Sequence, residues 1–236
     1  MKNIVIFSGA GMSAESGIDT FRGNNGLWEN HDIQDVATPE AWTKNPMLVQ
    51  RFYNERRKNI MDARPNAAHD LIAELEKHYS VQVITQNIDD LHERASSTNV
   101  LHLHGNIRLA KSSGPDAQAT TEFYPISGAE LDLERDKCPL GYPLRPHVVW
   151  FGEAVTAYEE AIELMQHADL LVVIGSSLSV YPVAGLIHEI SSHCEAYYID
   201  PQADHSRVPE HFHCLNMTAS EGMKVIAERL KAKSLE

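Results

Sequence analysis

Short apolar runs rich in Val and Ile punctuate this chain, separated by longer stretches in which apolar positions recur every three or four residues. The clearest runs cover residues 4–7, 81–85, 170–174 and 196–199, with weaker ones at 100–103 and 148–151. Runs this short, and apolar at consecutive positions, predict parallel strands buried on both faces. Helical spacing covers residues 46–62, 67–79, 158–167, 183–193 and 220–233. Strands alternating with helices of this length predict an α/β fold built on a doubly wound sheet.

Two stretches break the alternation. Residues 18–38 are rich in Gly, Asn and Asp with scattered aromatics, and read as a long ordered loop. Residues 107–145 show no helical pattern and carry the turn signals Ser-Ser-Gly-Pro, Ile-Ser-Gly and Cys-Pro-Leu-Gly. Long irregular segments in a compact domain are commonly functional or form a small subdomain. The second is therefore placed as an insertion between sheet strands.

The length of 236 residues suits one sizeable domain with a smaller inserted module. No stretch approaches the roughly 20 apolar residues that span a bilayer. The opening Met1-Lys2-Asn3-Ile4-Val5-Ile6-Phe7 runs straight into a glycine turn, unlike a secretory signal. Cys138, Cys194 and Cys214 are too few and too scattered for a disulfide framework. Together these features predict a soluble, cytoplasmic protein of a reducing compartment. A formal charge of −13 argues against nucleic acid, which draws its affinity from clustered Lys and Arg.

The run 4–7 leads into Ser8-Gly9-Ala10-Gly11-Met12-Ser13-Ala14, a G-x-G-x-x-A turn. Glycines there permit a tight turn and close backbone approach, so that a pyrophosphate can rest on the following helix N-terminus. The same glycines can serve purely steric needs. A hydride-transfer enzyme would also show a second strand ending in an acidic residue about twenty positions on. Residues 19–28 contain no such strand, and Glu29 and Asp32 sit in the wrong context.

The stretch from Gly9 through Ser16-Gly17-Ile18-Asp19-Thr20-Phe21-Arg22-Gly23 resembles the signature of the sirtuin family. Further blocks match in the family's order: Thr85-Gln86-Asn87-Ile88-Asp89-Asp90-Leu91-His92, Leu103-His104-Gly105, Pro146-His147-Val148-Val149-Trp150-Phe151-Gly152-Glu153 and Gly175-Ser176-Ser177-Leu178-Ser179-Val180. The resemblance covers nearly the whole chain. It implies a Rossmann-like parallel sheet and NAD used as a co-substrate. In that chemistry the acyl oxygen of a modified lysine attacks the ribose carbon and nicotinamide leaves.

The resemblance also implies roles. His104 would be the catalytic base, taking a proton from a ribose hydroxyl that then attacks the imidate carbon; a neutral imidazole near pKa 6.5 suits the task. Asn87 and Asp89 would meet the nicotinamide carboxamide and the ribose hydroxyls. Gly9, Ala10, Gly11, Ser13, Ile18, Trp28, Gln86 and Ile88 would line the cofactor site, where Phe21 shields the reactive carbon and Arg22 helps order the covering loop. Gly175, Ser176 and Ser177 would contact phosphates and ribose, and Asp200, Pro201, Gln202 and Ala219 the adenosine end. Val149, Phe151 and Gly152 would form one side of the acyl-lysine tunnel. Two positions depart from the family pattern: Asp19 replaces a common proline, and Asp200 stands where asparagine is frequent.

Tyr53 and Arg56 lie at i and i+3 of the predicted helix 46–62, hence on one face. A guanidinium grips a carboxylate in a bidentate fork, and a tyrosine hydroxyl adds a third bond. The pair resembles that of sirtuins removing succinyl and malonyl groups, and Ala37 matches the small residue that enlarges their acyl pocket. A solvated helix face is the plain alternative. Most sirtuins hold a structural zinc on two Cys-x-x-Cys pairs. Here the corresponding positions are Ser112, Pro115, Cys138 and Gly141, so no zinc is expected, and Phe123, Tyr124, Ile126 and Leu131 are expected to pack the insertion instead.

The expected product is one catalytic domain, with a large part over about 1–37, 70–105 and 146–236 and a small part over about 38–69 and 106–145. The expected activity is NAD-dependent removal of acetyl, succinyl and malonyl groups from protein lysines, with acylated proteins as partners and neither nucleic acid nor membrane. Two alternatives stay open: protein mono-ADP-ribosyl transfer or NAD hydrolysis on the same fold, and a non-catalytic NAD-sensing module.

Overall fold

The computed structural model describes residues 1–20, 27–28, 31–115, 117 and 120–233. The chain starts with β1 (Asn3–Ser8), turns through a 3-10 segment (Ala10–Ser16) and passes a two-strand ribbon, β2 (Leu27–Trp28) and β3 (His31–Asp32). Helices α1 (Ile33–Val36), α2 (Pro39–Lys44), α3 (Pro46–Asp62) and α4 (Ala67–Leu75) follow, and then β4 (Ser80–Thr85), α5 (Leu91–Arg94) and β5 (Val100–His102). An antiparallel insertion comes next: β6 (Gly105–Ser112), β7 (Tyr124–Pro125) and β8 (Leu144–Val148). The chain closes with α6 (Tyr158–Gln166), β9 (Leu170–Ile174), a 3-10 segment (Val183–His188), β10 (Glu195–Ile199), β11 (His213–Leu215) and α7 (Ala219–Lys233).

Six strands form one parallel sheet in the order β11-β10-β9-β1-β4-β5. Numbered by their own sequence order, read from the other edge, that is 3-2-1-4-5-6, the doubly wound arrangement. Residues Ile4 and Ile6 of β1 face a layer of Ala68, Ile72, Met223 and Ile226 from α4 and α7. Val5 and Phe7 face Ala161, Met165, Leu186 and Ile187 on the opposite side. Both faces of the central strands are therefore covered, which explains why β9 reads Leu-Leu-Val-Val-Ile with every residue buried. The chain reverses its winding direction between β1 and β9, and ligands of such sheets bind outside the carboxyl ends of the strands at that crevice.

Helix α3 has the predicted bounds, capped by Asn45, whose side chain accepts from the Leu48 amide, with Pro46 at the first turn. Elsewhere the structure corrects the sequence. The expected helix 67–79 ends at Leu75, and the expected helix 183–193 is a 3-10 segment ending at His188. The helix after the glycine turn is likewise 3-10. The strand expected at 148–151 lies earlier, at Leu144–Val148, and belongs to the antiparallel sheet with β6. The stretch 107–145 is not wholly irregular, since β6 runs to Ser112. Within it Ile126, Leu131, Cys138, Leu144 and Ala110 pack together with Tyr124 at their edge. Phe123 does not join them; it is 39% exposed and stacks on His147 with ring centroids 3.9 Å apart.

Candidate active site

At the crevice the turns after β1 and β9 touch backbone to backbone. The Gly9 amide donates to Ile174 O at 3.0 Å and the Gly11 amide to Gly175 O at 2.7 Å. A Cβ on Gly11 would lie 2.7 Å from Gly175 Cα, and one on Gly175 would lie 2.2 Å from the Met12 nitrogen. Gly175 also has a φ of 62°, in the left-handed region that favours glycine. The G-x-G spacing thus serves turn-on-turn packing. What points to a ligand is the space beside it.

That space is a cavity of about 970 Å³ at the carboxyl ends of the strands. It gathers Gly9, Ala10, Gly11, Ser13 and Ile18 from the first turn, Gln86, Asn87, Ile88 and Asp89 after β4, and His104 after β5. It also takes in Gly175, Ser176 and Ser177 after β9, Asp200, Pro201 and Gln202 after β10, and Ala219 at the start of α7. Ala37, Tyr53, Arg56, Val149, Phe151 and Gly152 line it as well. Phe21 and Arg22 lie outside the described residues, as does the Trp28 side chain.

Asn87, Ser13 and Asp89 form a directional chain. Asn87 Nδ2 donates to Ser13 Oγ at 3.1 Å, and Ser13 Oγ donates to Asp89 Oδ2 at 2.9 Å. The chain fixes which way the Asn87 amide points. Burial raises the Asp89 pKa, against hydrogen bonds from the Leu91 amide and Ser13. Across the crevice, Gln86 Nε2 donates to Ser176 Oγ at 2.9 Å and ties the end of β4 to that of β9.

His104 occupies the joint between the two sheets. Gly105, with a φ of 82°, lets β6 begin at once, and a Cβ there would sit 2.2 Å from His147 O. His104 Nδ1 lies 2.9 Å from Gln86 O. A carbonyl oxygen only accepts, so Nδ1 carries the proton and the neutral ring keeps its lone pair on Nε2. Burial lowers the His104 pKa, which keeps the ring neutral. An imidazole of this kind at a cavity wall is equipped to take a proton. Its backbone O accepts from the Val149 amide at 2.9 Å, and the Phe151 amide donates to Ala37 O at 3.0 Å. Residues 149–151 are thereby strung between His104 and Ala37.

His102 behaves oppositely. Its Nδ1 is 3.0 Å from Asn87 O and its Nε2 2.7 Å from Glu93 Oε1, so both nitrogens face acceptors. Burial alone would lower its pKa, but the Glu93 carboxylate and the Asn87 carbonyl outweigh it and the net shift is upward. Sequence reasoning passed over Arg207 and Tyr181, which also line the cavity. Arg207 Nη1 donates to Ser177 O at 2.9 Å, bringing a cation beside the serine turn from 30 residues away, with no motif to signal it. Among the described residues no group of three or more His, Cys, Asp or Glu side chains is arranged to hold a metal ion.

The Sir2 family model matches residues 9–182. The NAD-dependent protein deacylase of Helicobacter pylori is 49% identical over 231 residues, covering 98% of each chain. That of Aggregatibacter actinomycetemcomitans is 53% identical over 198 residues, covering 84% of this chain and 92% of the relative. A Sir2 homologue solved in complex with NAD superposes with a TM-score of 0.86 at 35% identity, covering 100% of this chain and 91% of that one. The chain belongs to the Sir2 family.

Proposed function

We propose that this protein is an NAD-dependent protein-lysine deacylase that removes acetyl, succinyl and malonyl groups, giving nicotinamide, O-acyl-ADP-ribose and free lysine. The observation that carries the reading is His104: its neutral tautomer is set by Gln86 O, and it shares one cavity with the glycine turns and with Tyr53 and Arg56. The curated relatives, which match over most of this chain, are named NAD-dependent protein deacylases, which supports the deacylase reading without specifying the acyl group.

The cavity fits NAD in size and in its mix of polar and apolar wall. Gly9, Ala10, Gly11, Gly175, Ser176 and Ser177 would hold the phosphates, with Arg207 adding positive charge. Asp200, Pro201, Gln202 and Ala219 would take the adenosine end, while Ser13, Ile18, Gln86, Asn87, Ile88 and Asp89 would surround the nicotinamide ribose. Phe21, Arg22 and Trp28 would complete that side. When bound, NAD supplies a ribose carbon from which nicotinamide can depart. Asn87, fixed by Ser13 and Asp89, orients the carboxamide. Ala37, Val149, Phe151 and Gly152 enclose the acyl-lysine and exclude water. His104 accepts a proton at Nε2.

Tyr53 and Arg56 are buried at 0% and 7% exposure and would receive the carboxylate of an acidic acyl group. The domain reading is one catalytic unit, with its large part over 1–37, 70–105 and 146–236 and its small part over 38–69 and 106–145. The insertion is read as folding without zinc. Ser112, Pro115 and Gly141 offer no thiolate beside Cys138, and Ser112 Oγ instead donates to Cys138 Sγ at 3.4 Å.

The test is incubation with NAD and acetyl- or succinyl-lysine peptides, read by mass spectrometry. Loss of the acyl mass with formation of O-acyl-ADP-ribose supports the proposal. A gain of ADP-ribose mass on protein, bare NAD hydrolysis, or NAD binding without turnover each contradicts it.

A further inference from the structure

Trp150 is 3% exposed, and its indole Nε1–H donates to the Tyr53 hydroxyl oxygen at 3.1 Å. An indole nitrogen is a donor only, so the Tyr53 oxygen is the acceptor in this bond, and accepting it does not use the phenol's proton. Trp150 is held from two further directions. Its backbone N–H donates to Glu153 Oε2 at 2.9 Å, and the Arg145 guanidinium sits 3.8 Å from the centroid of its ring. Arg145 and Glu153 complete the loop as an ion pair, their side chains 3% and 5% exposed. A buried pair of this kind adds little net stability over apolar side chains of similar volume. Wrapped around a single indole, it fixes geometry.

We propose that Trp150 is a positioning residue for acyl selection. By engaging the Tyr53 oxygen as an acceptor, it biases the hydroxyl toward donating, so that the Tyr53–Arg56 end of the cavity takes a carboxylate in preference to its carboxamide isostere. The inference rests on the reading of Tyr53 and Arg56 as the acidic-acyl site. A guanidinium has donors and no acceptor. With the phenol oxygen engaged by the indole, a carboxylate finds donors on both sides, whereas the N–H groups of a carboxamide would face other donors. Leaving buried donors unmatched is costly, and sites built on such matching discriminate strongly. The ion pair acts one step behind, since Glu153 anchors the Trp150 backbone while Arg145 holds the ring plane.

The experiment compares three peptides at saturating NAD, carrying succinyl-lysine, the half-amide analogue with a terminal carboxamide, or acetyl-lysine. Trp150→Phe keeps a ring beneath Arg145 and removes the N–H. We expect the succinyl-to-acetyl ratio of kcat/KM to fall about fivefold, chiefly through KM, and the succinyl-to-carboxamide ratio to fall by a similar factor. In a Tyr53→Phe background the same substitution should move neither ratio, because the hydroxyl it acts through is gone. Unchanged ratios in Trp150→Phe, or an equal drop without the hydroxyl, would overturn the proposal. The wild type gives an independent reading: equal turnover of the succinyl and carboxamide peptides also overturns it. No succinyl turnover in the wild type removes the acidic-acyl reading and this inference with it, whereas turnover insensitive to Trp150 removes this inference alone.

Discussion

The Gly11 amide donates to the Gly175 carbonyl oxygen across 2.7 Å, and with the Gly9 amide on Ile174 O this bond joins the two turns on either side of the sheet's reversal point. A methyl group on Gly11 or Gly175 would meet backbone, which cannot swing aside. Gly11→Ala is expected to cost about 1–3 kcal/mol through overpacking. Gly175→Ala should cost more, because its added Cβ comes nearer to backbone and its φ of 62° strains any other residue. Urea denaturation of both variants checks the order. A Gly175→Ala protein as stable as the wild type would show that the turns do not pack this tightly.

Behind the site, His69 and His92 stack with ring centroids 4.8 Å apart, both fully or nearly fully buried. Burial pushes the His69 pKa down to about 4 and also lowers that of His92, with the neighbouring imidazoles adding to the shift. The unfolded chain takes up these protons near pH 6.5 while the folded chain does not. Stability from this source is therefore full above the unfolded pKa and is lost as pH falls from about 6.5 toward 4. For His69 alone the loss is up to about 3 kcal/mol. Equilibrium unfolding across that range should show the decline, and His69→Gln should flatten it. A flat wild-type profile would contradict the burial of neutral rings.

Arg56→Met should reduce desuccinylation by ten- to a hundredfold, roughly the loss of one charge-assisted fork. Deacetylation should fall much less, since an acetyl group has no carboxylate for the guanidinium to hold. Steady-state kinetics on matched peptides measures the split. Equal losses would remove Arg56 from acyl recognition and leave it a structural residue of α3.

Metal analysis of protein purified without chelator is expected to find no stoichiometric zinc. On the proposal that packing of Ala110, Ile126, Leu131 and Leu144 holds the insertion, chelation should leave the melting temperature unchanged. One zinc per chain would show that ligands beyond Cys138 exist.

The central strands were legible because both their faces are covered, which forces apolar residues at consecutive positions in β1, β9 and β10, and β4 departs from this in its interior only at Gln82. Strand β8 was disguised. It carries Arg145, Pro146 and His147, and Arg145 is buried in an ion pair with Glu153. The neighbouring apolar run that looked like a strand instead bridges His104 and Ala37 through its backbone. The edge strand β11, three residues long, is too short to stand out in any pattern. Site residues were legible where they cluster in short blocks, as with Gln86 to Asp89. The contact between Trp150 and Tyr53 spans 97 positions, so no local spacing could announce it.

The account turns on the lone pair of His104. The most direct measurement is single-turnover deacylation of an acyl-lysine peptide by His104→Ala with NAD, beside the wild type. Loss of a general base predicts a fall of about a hundred- to ten-thousandfold in O-acyl-ADP-ribose formation, with NAD binding retained. A variant that turns over at the wild-type rate would contradict it.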